Sequence, residues 1–384
     1  MTKLLYFIII VAFIDTFIQL PIITPYAVGL GASHVLTGAI VAVYSLTNMV
    51  GNVLGGHWID KYGRKRMLLT GMVSVTIILL LYPLAQSGYQ LLAIRFLHGL
   101  AGGFLIPAAF AYVGDKTKAG AQGKTMAFTG AAIGLAAIIG PAIGGAMAAR
   151  SKIEYVFLFV AILFVITSFL LFRYIEESFV SSDRGKVHMK HFIPLLKNPM
   201  LLQASLAAFT IMISNGTLAF ALPLKVEAIG LDTSVTGALL STFGIVAIII
   251  FLTPLNRIYD YMKPLTLVGI GIFLIGCALL FLSYITTFWT GILAMIIYGT
   301  GFAFIFPSMN RMVAEGSTQM DRGKAYGIFY AAFSLGVVAG SFISGAIAEL
   351  FGLPFIFIAV IMFIACTSLL LIGRMRQKRS QKSD

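Results

Sequence analysis

About twelve stretches of roughly 20 apolar residues, joined by short polar loops, leave this chain few ways to fold. They lie near 4–25, 35–56, 67–86, 89–113, 125–148, 154–174, 200–223, 234–255, 265–285, 288–310, 325–348 and 354–373. In hydrocarbon a backbone segment must satisfy its own N–H and C=O groups, so each stretch reads as a membrane-spanning helix. With 59% of the 384 residues hydrophobic and 11% charged, no segment of useful size is left for a soluble domain. The expected class is an all-α integral membrane protein. No A-x-A-like site follows the first stretch, which is too long for a signal-peptide core and reads as a retained helix.

The formal charge of +13 would suit a nucleic-acid partner, but its distribution argues otherwise. If the N-terminus is cytoplasmic, all 27 basic residues fall in inner loops and tails except Arg95, Arg150, Lys152 and Lys225. That asymmetry sets topology, with both termini cytoplasmic, and brings lysines and arginines to anionic lipid heads. Cys277 and Cys366 lie mid-segment and read as packing residues.

The chain repeats itself at an offset of about 200 residues. Gly99, Phe104 and Pro107 recur as Gly299, Phe304 and Pro307; Gly123-Lys124 recurs as Gly323-Lys324. Gly140 and Gly145-Ala146 recur as Gly340 and Gly345-Ala346, Asp60 as Asp260, and Thr37-Gly38-Ala39 as Thr236-Gly237-Ala238. The expected organisation is an N-terminal six-helix bundle over 1–175, a cytoplasmic linker over 176–199, a C-terminal six-helix bundle over 200–373 and a basic tail over 374–384. Six helices per half run the same way in each, giving a pseudo-two-fold about the membrane normal.

Between the second and third stretches runs Gly51-Asn52-Val53-Leu54-Gly55-Gly56-His57-Trp58-Ile59-Asp60-Lys61-Tyr62-Gly63-Arg64-Lys65-Arg66. Gly51, Gly55 and Gly56 suit close packing on a neighbouring helix. Asp60 is expected to pair with Arg64 and to face the positive end of the helix beginning after Gly323. The run resembles the signature loop of the major facilitator superfamily, G-x-L-a-D-r-x-G-r-k. The resemblance implies a cytoplasmic gate, with Gly51, Gly55, Asp60, Gly63 and Arg64 in the latch. The second copy, Asn256 to Lys263, is degraded, so the latch is expected to be asymmetric.

Arg95-Phe96-Leu97-His98-Gly99 in the fourth stretch is similar to the superfamily's R-x-x-Q-G motif, with His98 in place of glutamine. An arginine at the bilayer centre costs about 2.5–3.5 kcal/mol on insertion scales, so it needs a wet cavity or a counter-ion. The best candidate is Asp15. A nearby arginine favours the carboxylate and apolar burial favours the acid, and these opposed terms suit a group that takes up and releases a proton. His98, on the same helix face as Arg95, fits either a proton relay or a hydrogen-bonded packing residue.

Gly130, Gly134, Gly140-Pro141 and Gly144-Gly145 form a small-residue face in the fifth stretch. They resemble the family's antiporter motif, g-x-x-x-G-P-x-x-G-G. Leu20-Pro21-Ile22-Ile23-Thr24-Pro25 is similar to a P-v-x-P pattern of the twelve-helix drug:proton antiporters. No second intramembrane carboxylate is found in the C-half. The cavity lining is therefore expected to be polar but neutral, from Gln19, Asn48, Asn52, Asn215 and Asn310, among adaptable Met and aromatic side chains.

No nucleophile–base pair, metal-ligand cluster or phosphate-binding loop points to an enzyme, a metal or a cofactor. The resemblance implies a proton-coupled secondary transporter, with protons as coupling ion, exporting small amphiphilic compounds as a monomer in a bacterial cell membrane. The alternatives are an exporter of one metabolite (a sugar, an amino acid or a siderophore) and a lipid or glycolipid flippase.

Overall fold

Helix bounds recur at the spacing of the sequence repeat. In a computed structural model describing residues 2–116, 122–178, 193–318 and 321–380, the chain forms sixteen α-helices and no strand among the described residues. They are α1 (Thr2–Ile18), α2 (Ile23–Gly29), α3 (His34–Tyr62), α4 (Arg64–Leu79), α5 (Gly88–Gly102), α6 (Leu105–Lys116), α7 (Gln122–Arg150) and α8 (Glu154–Tyr174). Then follow α9 (Ile193–Leu196), α10 (Pro199–Ala228), α11 (Thr233–Leu252), α12 (Ile258–Tyr261), α13 (Pro264–Tyr284), α14 (Phe288–Glu315), α15 (Arg322–Phe351) and α16 (Phe355–Ser380). Thus α4 and α13, α7 and α15, and α8 and α16 begin 200 or 201 residues apart.

Ten helical spans are long and apolar enough to cross a membrane among the described residues, with α5 and α6 counting as one. The pair α1–α2, bent by 45°, supplies another, and the apolar part of α16, Phe355–Leu371, is a shorter one. Pro21 explains the bend, since it has no N–H to continue the α1 ladder and disfavours helical backbone at the residue before it. The chain turns through Leu20–Ile22, and both Ile22 and Ile23 donate back to the Gln19 carbonyl. On α8, Ile162, Val165, Ile166 and Phe169 stand exposed, as a lipid-facing surface requires and a water-facing one disfavours.

The helices group into two compact units, Met1–Gly185 with Leu222–Ser241, and Lys186–Ala221 with Thr242–Asp384. In the first, α1 packs on α7, α3 on α5, and α4 on α8; in the second, α13 packs on α14 and α16. Glycine sets the closest approaches. A Cβ on Gly99 would collide with the Thr47 hydroxyl and the Tyr44 carbonyl, so only glycine lets α5 lie this near α3.

Candidate functional site: a buried carboxylate, histidine and arginine

That approach carries Arg95 across to α3. Its Nε donates to the Ile40 carbonyl at 3.3 Å, and its guanidinium lies 4.3 Å from the centre of the Tyr44 ring. A desolvated cation–π contact of this kind is worth about 2 kcal/mol. Asp15, Gln19, Arg95 and His98 are 1%, 3%, 5% and 0% exposed, so these four groups must satisfy one another.

The connections differ from the expected Asp15–Arg95 pair. Arg95 donates to the Gln19 side-chain Oε1 at 2.5 Å, and the Gln19 side-chain amide donates to Asp15 Oδ1 at 2.8 Å. The second oxygen, Oδ2, faces His98 Nε2 at 3.0 Å. The reason is spacing. Gln19 follows Asp15 by one helical turn at the end of α1 and reaches both groups, while the histidine of the modified motif takes the remaining carboxylate oxygen. Gln19, expected to line the cavity, is thus the bridge of a charge-balanced chain. Asn48, also expected in the lining, donates to the Gly99 carbonyl at 3.4 Å and accepts from Asn52 at 2.9 Å, so its amide ties α3 to α5.

The antiporter motif packs against this cluster. A Cβ on Gly140 would sit 2.8 Å from the Phe17 Cβ, and one on Gly144 would strike the Ile18 carbonyl, just before the α1 break. Gly145 turns the other way: its Cβ would lie 2.6 Å from the Thr233 carbonyl and 3.0 Å from the Gly237 Cα. Ser241 donates to the Ile138 carbonyl at 2.7 Å, so α7 lies backbone to backbone on the first turns of α11. Gly130 differs from the expected packing glycines: nothing lies within 4 Å of its Cβ position. Gly134 is partly buried.

At the signature loop a single residue, Gly63, joins α3 to α4 with φ of 101°, a backbone that other residues rarely adopt. The Glu177 carboxylate occupies the space its side chain would need, 2.5 Å from an added Cβ. Glu177 accepts from the backbone N–H groups of Arg64 at 2.8 Å and Lys65 at 3.1 Å, capping the positive end of α4. Gly51 and Gly55 pack on Gly103 and Phe104 at the α5–α6 junction, whereas the Gly56 Cβ position is open.

The Asp60 side chain lies outside the described residues. The cation expected to pair with it, Arg64, stands with Nε 2.9 Å from Asp115 Oδ2 on α6. That contact is Coulombic rather than an aligned hydrogen bond. Arg64 also donates to the Ile59 carbonyl at 3.1 Å.

The second unit holds a neutral counterpart of the buried cluster. At the repeat offset Asp15 becomes Asn215, His98 becomes Tyr298, Arg95 becomes Met295 and Gln19 becomes Ala219. Tyr298 is fully buried, bonds the Ser214 hydroxyl at 2.9 Å and reaches the Asn215 side chain. The aromatic arrangement persists: Tyr44 meets His98 at 5.2 Å and 79°, and Phe243 meets Tyr298 at 5.6 Å and 74°. Asn310 on α14, placed in the lining by sequence, spends its amide on the Phe306 carbonyl at 2.8 Å.

The degraded signature loop is rebuilt there from another position. Pro264 stands where Arg64 would be, and Arg311 on α14 donates to the Tyr259 carbonyl at 3.0 Å, at the repeat position of Ile59. Arg311 also pairs with Glu315, the counterpart of Asp115, at 2.6 Å. Glu315 is the last residue of α14.

The sequence pattern of the Major Facilitator Superfamily matches residues 5–319 and 204–384. The chain belongs to the major facilitator superfamily. It is 26% identical over 337 residues to the multidrug resistance protein MdtG of Salmonella typhimurium, covering 86% of this chain and 82% of the relative. MdtG of Salmonella paratyphi C aligns over the same 337 residues, also at 26% identity.

Among solved structures, a bacterial homolog of the human lysosomal transporter Spinster, inward-facing and unoccupied, superposes with a TM-score of 0.81 at 14% identity, covering 98% of this chain and 97% of that one. A POT family transporter in complex with 5-aminolevulinic acid gives 0.81 at 13%, covering 97% and 96%. The human organic anion transporter MFSD10 gives 0.69 at 16%, covering 96% and 98%. These three establish the major facilitator fold, and the family and its relatives are membrane transporters.

Motif reading missed Tyr44, Tyr82, Asp115, Glu177 and Arg311. Asp115 and Arg311 were within reach through the repeat, since Glu315 mirrors the first and the missing cation at position 264 calls for the second. Nothing in the sequence singles out Tyr82 or Glu177.

Proposed function

We propose that this transporter exports small amphiphilic compounds in exchange for protons, by alternating access, with Asp15 and His98 as the proton-binding pair. The observation that carries this reading is a fully buried carboxylate bonded to a titratable ring and balanced, through Gln19, by a permanent cation. With Asp15 ionised and His98 neutral the cluster has no net charge; one added proton makes it positive. Proton uptake weakens the Gln19–Asp15 bond that aims the Gln19 oxygen at Arg95, and so loosens the end of α1 beside the antiporter glycines. The MdtG relatives, named for multidrug resistance, support export of drug-like compounds.

In this reading residues 1–175 and 200–373 are the two moving bundles, joined by the linker 176–199 and followed by the basic tail 374–384. The segment from Gly51 to Arg64, with Asp60, is the cytoplasmic gate. The protein works as a monomer in a bacterial cell membrane with both termini cytoplasmic, as its basic loops support. Protons are its coupling ion, without a cofactor.

The test is proton movement in proteoliposomes carrying a pH gradient, challenged with lipophilic cations, neutral drugs and sugars. Substrate-triggered proton flux is expected from one of the first two classes. Flux with sugars alone would assign a dedicated metabolite exporter, and substrate movement indifferent to the gradient would refute proton coupling.

A further inference from the structure

His98 is held at both ring nitrogens, and the motifs explain only one of the two contacts. Nε2 faces Asp15, while Nδ1 lies 2.8 Å from the Tyr82 hydroxyl. Tyr82 opens a 3₁₀ turn between α4 and α5, outside every recognised motif. It is fully enclosed. Its ring stacks on Phe157 of α8 at 3.9 Å and 12°, and its backbone carbonyl accepts the Tyr26 hydroxyl at 2.6 Å. Three elements therefore fix the position of this one hydroxyl.

We propose that Tyr82 is a positioning residue that selects the tautomer of His98 and thereby sets the proton affinity of the Asp15–His98 pair. The inference rests on the proton-coupled reading only for its consequence in transport. The groups facing His98 are Asp15 from α1, Tyr44 from α3 and Tyr82 from the turn; Arg95, one turn earlier on the same helix, lies over the Tyr44 ring and also hydrogen-bonds the Tyr82 hydroxyl. Tyr26 reaches only the Tyr82 backbone, and the charge of Glu154 on α8 acts on Tyr26.

Proton accounting gives Tyr82 a definite task. Without the transported proton, the Tyr82 O–H donates to Nδ1, which leaves the single imidazole proton on Nε2, donated to the Asp15 carboxylate. The added proton gives either an imidazolium, or a carboxylic acid beside an imidazole protonated at Nδ1. In both, Nδ1 carries hydrogen and the Tyr82 oxygen turns from donor to acceptor. A phenol does both jobs by swinging one O–H bond; a phenyl ring does neither. Losing the partner harms the proton-loaded form more, because the unmet group is then a buried N–H donor in a cluster of net positive charge.

The experiment is a pH titration of the full chain in lipid nanodiscs with ¹⁵N-labelled histidine, the His98 signals being those lost in His98→Asn. The neutral ring should show a protonated Nε2 and a bare Nδ1. Tyr82→Phe, which keeps the stack on Phe157, should lower proton affinity about tenfold, moving the midpoint about one pH unit to the acid side. Phe157→Leu, which loosens the Tyr82 ring but keeps its hydroxyl, should lower thermal stability and move the midpoint by less than Tyr82→Phe does.

A neutral ring protonated at Nδ1, an unmoved midpoint in Tyr82→Phe, or an equal shift in Phe157→Leu would each overturn the proposal. If Tyr82→Phe does not fold, the wild-type tautomer decides alone. None of these readouts involves transport, so a failure of proton coupling in liposomes is scored separately.

Discussion

The two halves of this chain place a buried polar group at the same helix crossing and give it different chemistry. Around His98 in the first unit stand a carboxylate, an amide bridge and a guanidinium; around Tyr298 in the second stand a serine and an asparagine. An aromatic ring meets each edge-on, and a glycine, Gly99 or Gly299, allows each approach. The crossing therefore needs a hydrogen-bonded pivot but not a charge, and the carboxylate, histidine and guanidinium stand at the first of the two crossings only.

The antiporter stretch repeats the contrast. Gly140 and Gly144 pack bare against α1, where Ser341 and Ser344 of α15 bond the Gly216 carbonyl at 3.3 Å and the Thr217 hydroxyl at 2.9 Å.

The sharpest way to break the comparison is to convert the first site toward the second. Arg95→Met, copying Met295, strands the Asp15 charge in the core and should destabilise the protein by about 3–5 kcal/mol. Asp15→Asn in the same chain should recover much of that loss, because it removes the stranded charge. Thermal melts of both variants check this, and additive losses would show that Gln19 does not couple the two groups.

A smaller contrast lies at the two arginine pairs. Arg64 is 6% exposed and pairs with a partner 30% exposed, whereas Arg311 and Glu315 are 50% and 44% exposed. Arg64→Ala should cost about 2 kcal/mol, within the range for removing one partner of a desolvated hydrogen-bonded group, and Arg311→Ala less than about 1 kcal/mol. Equal costs would mean that burial does not separate the Arg64 pair from the Arg311 pair. Tyr298→Phe removes only neutral hydrogen bonds, to Ser214 and Asn215, so a loss of about 1–2 kcal/mol is expected with no change in the pH profile of transport. A shifted profile would show that the second site titrates after all.

The smallest effect is at the caps. Ser33 caps α3 through the Leu36 N–H at 3.2 Å, and its counterpart Asp232 accepts from the Ser234 N–H at 2.8 Å at the start of α11. The Ser234 hydroxyl, which also donates to Asp232, is the main cause holding that carboxyl below its ordinary range, against the opposing effect of burial. A depressed value means the stabilisation is complete above the unfolded value of about 3.9 and is lost as pH falls through the folded one. Asp232→Ala should therefore lower stability at neutral pH by about 0.5–1 kcal/mol, a difference from wild type that disappears in strong acid; a constant difference would contradict it.

Most of the architecture was legible because lipid leaves a backbone few choices. Apolar length marked the spans and glycines marked the close crossings, whereas the α1 break at Pro21 lies inside a stretch read as one helix. Partner identities were harder. Asp15 and Arg95 were visible as costly charges, but the side-chain geometry that inserts Gln19 between them leaves no trace in composition or spacing. The Asp15–Asn215 and His98–Tyr298 correspondences stood in the sequence at the repeat offset. Tyr82 did not announce itself, because a tyrosine beside a proline in a turn reads as punctuation until a fold brings its hydroxyl to a histidine.

The most direct test of a one-sided proton site is substrate-driven proton flux in proteoliposomes, measured for Asp15→Asn and Tyr298→Phe beside the wild type. The account predicts that flux falls to the level of empty liposomes in Asp15→Asn and persists in Tyr298→Phe. Flux that survives the loss of the Asp15 carboxylate, in protein shown to be folded, would contradict it.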